Sequence, residues 1–539
     1  MRKSWLWVPV LALIFQGCER ADSQNDPAGS GFCVQTTDLT RFDATDYSDQ
    51  RKSITWADPL AAYQWHLFNF GQKAGTTVAA AKSSEDINVT SVWEPNNLNI
   101  TGRGVTIAIV DTGVDVTHPD LSRRYVEPLS WNYATHTNNP APRATSETCY
   151  HGTACAGIAA AEGFNGIGVM GVAPEAYYAG LNVGLGCGFG ANESGFADAL
   201  SVYSPNRSGG QELGIDIFSN SWGCAQANPD CVSQVELEAI AEGVLLGRGG
   251  KGSIYLFAAG NDRATGGNAN YFAEQNGFHT ISVAALESGG AYAPYSNPGA
   301  NVLVSGYGGS NPVIVTTDIR GCKSGYNGTA LTLHALNWNG DYTHLMNGTS
   351  AATPMVAGVV ALMLEANPDL TWRDVRYILA TTARKNNPTG DWQTNGAGFA
   401  VSHDYGFGAV DAYSAVKKAQ TFVSLGGSDN LKYQCHSAGS QTTITVAESN
   451  VTLPEFVTVK TTLGGNNAKT VGLKLVGPEA KNTYSVLSAP NSALPDTFYS
   501  SNRLFGSVRH LDEDINGIWK LEVSGSASLQ NWELCFYGR

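Results

Sequence analysis

The run VTIAIV at residues 105–110, followed at once by Asp111, Thr112 and Gly113, decides how the chain is to be read. It is short, rich in β-branched residues and apolar without alternation, which is the pattern of a strand buried on both faces. An acid stands at its carboxyl end with a glycine turn behind it. Working outward, similar strand-like runs alternate with helical runs of small residues: HGTACAGIAAA (151–161), IDIFSNS (215–221), SIYLFAAG (253–260) and MVAGVVALMLEA (355–366). Continuous apolar strands separated by helices predict an α/β fold, a parallel sheet with helices on both faces. Beyond about Gly426 the texture changes to TTITVA (442–447), FVTVKTTL (456–463) and GLKLVG (472–477), punctuated by Gly, Asn and Pro. That alternation predicts antiparallel strands in a separate all-β domain.

Composition bounds the rest. Of 539 residues, 42% are hydrophobic and 15% charged, against roughly 25% charged in an average globular protein, so disorder is excluded. The 61 glycines follow no Gly-X-Y period and belong to turns and close approaches. With 33 basic and 47 acidic residues the net charge is −14, the wrong sign for neutralising phosphates, and nucleic acid is not expected as a partner.

Arg2 and Lys3 precede the apolar stretch from Ser4 to Gln16, and Gly17-Cys18 follow. Residues 1–18 therefore read as an export signal, too short to remain as a spanning helix. Cys18 sits where a bacterial lipoprotein is cleaved and acylated, although Phe15-Gln16 replace the usual small aliphatic pair. Two outcomes stay open. A lipid on Cys18 would tether the protein to a membrane, and ordinary cleavage would leave it free. The expected location is the periplasm, the outer membrane as a lipoprotein, or the extracellular medium. No later apolar run of about 18 residues recurs, so no other integral segment is expected. Residues 19–50 are polar and read as a tether.

Export implies oxidising conditions, so the ten cysteines are disulfide candidates. If Cys18 is removed or acylated, nine remain and one stays unpaired. Cys224 with Cys231 and Cys435 with Cys535 are the natural pairs to test, but spacing settles neither. The chain has no C-x-x-C pair and no H-E-x-x-H to suggest a zinc site.

Three features stand at strand ends or helix starts. Each has an ordinary reading alone: Asp111 as a strand-end acid, His151 as a helix-opening histidine, and Ser350, within Asn347-Gly-Thr-Ser-Ala-Ala-Thr-Pro354, as a helix cap. Together, in the order Asp, His, Ser, they are the set a serine hydrolase needs. No serine lies in the G-x-S-x-G setting of the lipase-like α/β-hydrolases, which removes that rival.

At this point the chain resembles the subtilisin-like proteases, and most of all their kexin and furin branch. The resemblance rests on DTGVDVTHPDL (111–121), HGTACAGIAAA (151–161), SNSWG (219–223), AAGN (258–261), NGTSAATPMVAG (347–358) and ALMLEANPDLTWRDV (361–375). It implies Ser350 as nucleophile, His151 as the base that takes its proton, Asp111 as the group orienting His151, and Asn261 as a side-chain donor to the oxyanion. In subtilisin itself, loss of the corresponding donor costs about 10²–10³ in kcat. Ser221, Trp222 and Gly223 would border the substrate cleft, where an extended peptide adds to a strand edge, so proteins or peptides are the expected substrates. The resemblance also implies a structural calcium ion held by hard oxygens from Asp58, Asp120 and Asn165 and by the carbonyls of Glu162 and Ile167; a capped turn without metal is the bland alternative.

The stretch NGIWKLEVSGSASLQNWELCFYGR (516–539) resembles the P domain of that branch, a jelly-roll-like unit. It is expected to stabilise the catalytic domain, with Trp519 and Trp532 in its core; carbohydrate binding by exposed aromatics is the alternative. The expected layout is a signal at 1–18, an extension at 19–50, a catalytic domain at 51–424 and a P domain at 425–539.

Several family features are missing. Thr112 and Thr148 replace acids, and Cys224-Ala225-Gln226 replaces an acidic stretch. A buried cation without a partner is costly, so strict dibasic cleavage is not expected, only a partial bias toward Lys or Arg, with Asp262, Asp230 or Glu193 as substitutes. The foldase propeptide usual in subtilases is not evident, leaving unaided folding or a separate folding helper as alternatives. A catalytically silent binding or adhesion protein on the same scaffold is the rival from another class.

Overall fold

A computed structural model describes residues 58–539 apart from 73–80, 82–84, 143–148, 186, 188–189, 205–206, 208, 210–211, 226–230, 322–324, 327–339, 466–467, 480–482 and 501. The signal, the extension, Cys18, Thr148, Gln226 and Asp230 lie outside the described residues.

The VTIAIV run forms β1, Thr106–Asp111, buried along its whole length. With β2 (Trp131–Asn132), β3 (Tyr177–Asn182), β4 (Ile217–Asn220), β5 (Ile254–Ala258), β6 (Thr280–Leu286) and β7 (Val302–Tyr307) it makes a seven-stranded sheet in the order β2-β3-β1-β4-β5-β6-β7. Every pairing in it is parallel. The order reverses beside β1, and ligand sites in such sheets collect at the carboxyl ends of strands where this happens.

Helices cover the sheet, as the alternation predicts. The His151–Ala160 and Thr349–Ala366 helices pack on each other and on the strands. The second of them begins at Thr349, six residues before the apolar run suggests, and contains Pro354. By length and composition it could cross a membrane, contrary to the expectation that no such run recurs, yet 89% of its apolar window is buried inside the protein. It is the core helix of the domain. The short strands β8 (Ile314–Thr317) and β9 (Tyr342–Met346) pair beside the His151 helix, and β10 (Gln393–Thr394) pairs with β11 (Ala400–Val401).

The C-terminal region is a sandwich of two antiparallel four-stranded sheets. One comprises β12 (Lys432–Ser437), β19 (Ser528–Gly538), β14 (Pro454–Gly464) and β17 (Arg503–Ser507), in that order; the other comprises β13 (Thr443–Val446), β18 (Gly517–Ser524), β15 (Gly472–Val476) and β16 (Tyr484–Ser488). Trp519 and Trp532 are wholly buried between them, with Nε1 groups donating to the carbonyls of Ile515 (2.8 Å) and Gln441 (2.6 Å). Neither indole is on an exposed face.

Cys224–Cys231 and Cys435–Cys535 are both disulfides, and Cys149–Cys187, which spacing did not suggest, is a third. Among the described residues Cys155 is the free thiol, and it is buried.

The two domains are joined by buried polar contacts. Arg373, opening the Trp372–Thr382 helix, is wholly buried and grips Glu455 on β14 through Nε (2.9 Å) and Nη2 (2.6 Å). Its Nη1 donates to the carbonyls of Leu425, Gly426 and Gly427. A buried guanidinium satisfied on so many sides tolerates no loss of its partner.

Candidate active site

Asp111 ends β1 and is almost completely buried. Gly152 lets the His151 helix abut the turn after it, because a Cβ there would lie 2.3 Å from the Gly113 carbonyl oxygen. The helix is tied in place by Gly152 N–H donating to Thr112 Oγ1 at 2.9 Å. Thr112, standing where the family has an acid, is thus a buried cap for this helix. The result is bidentate: His151 Nδ1 lies 2.9 and 3.0 Å from the two Asp111 oxygens. With the Nδ1 proton donated to Asp111, Nε2 carries the lone pair of the neutral ring. Burial opposes a charge on His151, but the Asp111 carboxylate together with Cys155 outweighs it and holds the imidazole pKa well above its ordinary value.

Ser350 stands in the first turn of the core helix, behind Gly348 at φ +100° and ψ 169°, a conformation that favours glycine. Pro354 has no N–H, so the Ser350 carbonyl lacks its helical partner. The Ser221 hydroxyl supplies one instead at 3.0 Å, and Ser350 Oγ in turn donates to the Ser221 carbonyl at 3.2 Å. This reciprocal pair fixes the end of β4 against the serine. Trp222 Nε1 donates to the Val110 carbonyl at 3.0 Å, anchoring the same segment to β1.

Asn261 follows β5. Its Oδ1 accepts from Thr349 N–H and Thr349 Oγ1, each at 2.9 Å, while its Nδ2 and the Ser350 nitrogen lie 3.3 and 3.5 Å from where a Cβ on Gly348 would stand. The N–H of Ser350 has no partner within the helix, as expected of a first-turn amide. Two donors, one from a side chain and one from a helix N-terminus, therefore flank the serine. Asp111, His151, Asn261, Ser350 and Ser221-Trp222-Gly223 are brought to one edge of the sheet from separate segments.

The residues expected to hold calcium also converge. Asp58 and Asp120 are wholly buried. Asp58 accepts from the N–H groups of Phe164 (2.6 Å), Asn165 (3.0 Å) and Gly166 (2.9 Å), and Asp120 accepts from Asn165 Nδ2 (3.1 Å) and Val169 N–H (2.9 Å). Burial raises both carboxyl pKa values, that of Asp120 to about 7. No lysine or arginine among the described residues pairs with either. Asn165 Oδ1 accepts from Ile167 N–H at 2.7 Å. The Glu162 carboxylate turns instead to Arg123 and Arg124, each at 3.5 Å, leaving only its carbonyl for a metal. Two buried carboxylates beside the Asn165 amide, with no lysine or arginine partner among the described residues, suit a hard divalent ion.

One group went unnoticed in the sequence. Glu274, in a short helical turn at Ala273–Asn276, is almost wholly buried. Its Oε1 accepts from Cys224 N–H at 3.3 Å, and a Cβ on Gly223 would lie 3.1 Å from that oxygen. Its neighbour Gln275 donates to the Ala258 carbonyl at 2.9 Å. Glu274 thus lies where the segment after β4 meets the end of β5. Its Oε2 has no hydrogen-bond partner among the described residues, and burial pushes its pKa up to about 7. Of the acids considered as substitutes, Glu193 is exposed at a helix start and Asp262 is half-buried, with its N–H donating to Asn297 Oδ1 at 2.8 Å. The only signal for Glu274 in the sequence was an acid among apolar and amide residues in YFAEQN (271–276), which fits many sites.

A doubly covered parallel sheet carrying a Ser, His and Asp of these geometries, with an appended β-sandwich, defines a subtilisin-type architecture. The Subtilase family profile matches residues 102–408, and the Proprotein convertase P-domain profile matches residues 454–536. The chain belongs to the subtilase family, in its kexin and proprotein convertase branch. Kexin of Saccharomyces cerevisiae is 32% identical over 506 residues, covering 89% of this chain and 56% of kexin. Neuroendocrine convertase 2 of Rattus norvegicus is 32% identical over 516 residues, covering 90% of this chain and 75% of that protein. The chain thus spans little more than half of yeast kexin. The crystal structure of a serine protease of Aeromonas sobria is similar with a TM-score of 0.79 at 25% identity, covering 90% of this chain and 96% of that one. A structure of that protease in complex with a chaperone matches equally well, at 26% identity.

Proposed function

We propose that this chain is an exported serine endopeptidase that cleaves proteins or peptides through an acyl-enzyme. The observation that carries the reading is the two-oxygen grip of Asp111 on His151 Nδ1 beside a serine at a helix start. In the proposed mechanism the Ser350 hydroxyl turns from the Ser221 carbonyl to His151 Nε2, loses its proton there and attacks the scissile carbonyl. Asp111 stabilises the imidazolium, and Asn261 Nδ2 with Ser350 N–H receives the oxyanion. His151 then returns the proton to the leaving amine, and a water attacks the acyl-enzyme by the same relay. A fluorophosphonate probe tests this: labelling that vanishes in Ser350→Ala is expected, and no labelling of the wild-type chain would leave a silent binding protein.

The substrate side chain before the scissile bond would enter between the ends of β4 and β5 and meet Glu274. An arriving guanidinium or ammonium would neutralise that carboxylate, which supports a partial preference for Arg or Lys. A peptide library separates the cases, since equal cleavage after Phe, Leu and Arg would refute the preference.

Calcium would be held by Asp58, Asp120 and Asn165 with the carbonyls of Glu162 and Ile167, and when bound it supplies positive charge to the buried carboxylates. Loss of thermal stability in chelator, restored by calcium, is expected; no shift would remove the site. The basic and apolar run at 1–18 and the three disulfides support export. The chaperone complex of the Aeromonas sobria protease supports a separate folding helper, and full activity of this chain expressed alone would dispose of that idea.

A further inference from the structure

We infer that the P domain forms the outer support of the specificity pocket, with strand β17 holding the segment that carries Glu274. The inference rests on the reading of Glu274 as the group that meets a basic substrate side chain. Residues 270–276 are clamped at both ends by one residue of the P domain. Asn270 Nδ2 donates to the Gly506 carbonyl at 2.7 Å, and Gly506 N–H donates to Asn276 Oδ1 at 2.9 Å. The two asparagines also bond each other at 2.8 Å, and both are almost wholly buried. Between them, Arg503 Nη2 donates to the Tyr271 carbonyl, and Tyr271 OH donates to the Ala489 carbonyl at 2.8 Å. Glu274 and Gln275 sit inside this clamp and face the other way, onto Cys224 and Ala258.

Gly506 has no room for a side chain. A Cβ there would lie 2.5 Å from Phe456 Cζ and 2.7 Å from the Asn276 carbonyl oxygen. Any displacement of β17 therefore moves Asn276 and the turn that ends in it. Burial raises the pKa of Glu274, Glu236 raises it further, and the charge of Arg503 lowers it, so β17 also contributes to the field at the pocket floor. The reacting groups are held differently, by β1, the His151 helix and the core helix, so selectivity and reactivity are separable.

Gly506 and Arg503 are thus positioning residues acting through Glu274. The test uses the full chain and two peptides identical except for Arg or Leu before the scissile bond. kcat/KM is measured for each, together with the rate of fluorophosphonate labelling. Gly506→Ala is expected to lower the Arg-to-Leu ratio about ten-fold, the effect of roughly 1.4 kcal/mol, while labelling stays within about two-fold. An unchanged ratio in Gly506→Ala, alongside a ratio abolished in Glu274→Gln, overturns the inference and leaves the reading of Glu274 standing. An unchanged ratio in Glu274→Gln overturns that reading and the inference with it. If Gly506→Ala fails to label at all, Arg503→Met decides: a ratio reduced about three-fold supports the inference, and an unaltered ratio sinks it.

Discussion

The residues proposed to react and the pocket proposed beside them are built on opposite plans. Asp111, His151 and Ser350 sit at the ends of regular elements, each beside glycines and small side chains. The pocket floor is an irregular segment, fixed by side chains from distant parts of the chain and by a second domain. Chemistry set on rigid elements is robust to changes elsewhere, whereas selectivity set on a clamped loop depends on the clamp.

The largest effect expected from this contrast falls on the reacting side. Asp111→Asn keeps a hydrogen-bonding group but removes the charge that stabilises the imidazolium and fixes its tautomer, so kcat is expected to fall about 10⁴-fold near neutrality. Without the carboxylate, burial is opposed only by Cys155, and the His151 pKa is expected to drop below the wild-type value. The acid limb of the pH–rate profile then moves to lower pH, and an unmoved limb would separate His151 from the chemistry. Asn261→Ala removes one of two oxyanion donors, and kcat should fall about 10²–10³-fold with KM little altered. If the Arg-to-Leu ratio changed as much as kcat, the division between chemistry and pocket would fail.

The domain contact comes next. Glu455→Ala leaves Arg373 buried without its carboxylate, and losing one partner of a buried pair costs about 3–5 kcal/mol. Chemical denaturation should show P-domain unfolding at lower denaturant. If β17 supports the pocket, selectivity should decline over that same transition before fluorophosphonate labelling does.

How much of this could be read from the chain follows the same division. The sheet was legible at VTIAIV and SIYLFAAG because burial on both faces imposes a continuous apolar run. The triad was legible because each member needs a particular local setting, such as the glycine at 348 that admits a positive φ. Thr112 looked like a lost acid, yet its hydroxyl caps the His151 helix, a role that requires knowing that residues 112 and 152 meet. The partnership of Pro354 with Ser221 was hidden for the same reason: a missing helical hydrogen bond is visible at proline, but the hydroxyl that replaces it comes from 129 residues away. Glu274 and its clamp join residues up to 236 apart. No local pattern records such a contact.

The finest prediction concerns the charge at the pocket floor. Glu274 has a carboxyl pKa raised from its ordinary 4.5 to about 7, chiefly by burial and secondarily by Glu236, against the opposing charge of Arg503 and the hydrogen bond from Cys224. Because the folded pKa is the higher one, the fold prefers the neutral acid, and this group's contribution to stability declines as pH rises from about 4.5 to 7. Substrate recognition runs the other way. A basic side chain pairs with the ionised form, so below pH 7 its binding must first expel a proton, while a leucine side chain gains nothing from ionisation. The Arg-to-Leu ratio of kcat/KM should therefore climb up to about ten-fold between pH 6 and pH 8, one unit of pKa corresponding to roughly 1.4 kcal/mol. Taking the ratio cancels the titration of His151, which acts on both substrates alike. Glu274→Gln should flatten the curve, and Arg503→Met, by removing a charge that favours ionisation, should displace its midpoint to higher pH. A ratio that is flat in the wild-type protein would mean that the carboxylate never meets the substrate.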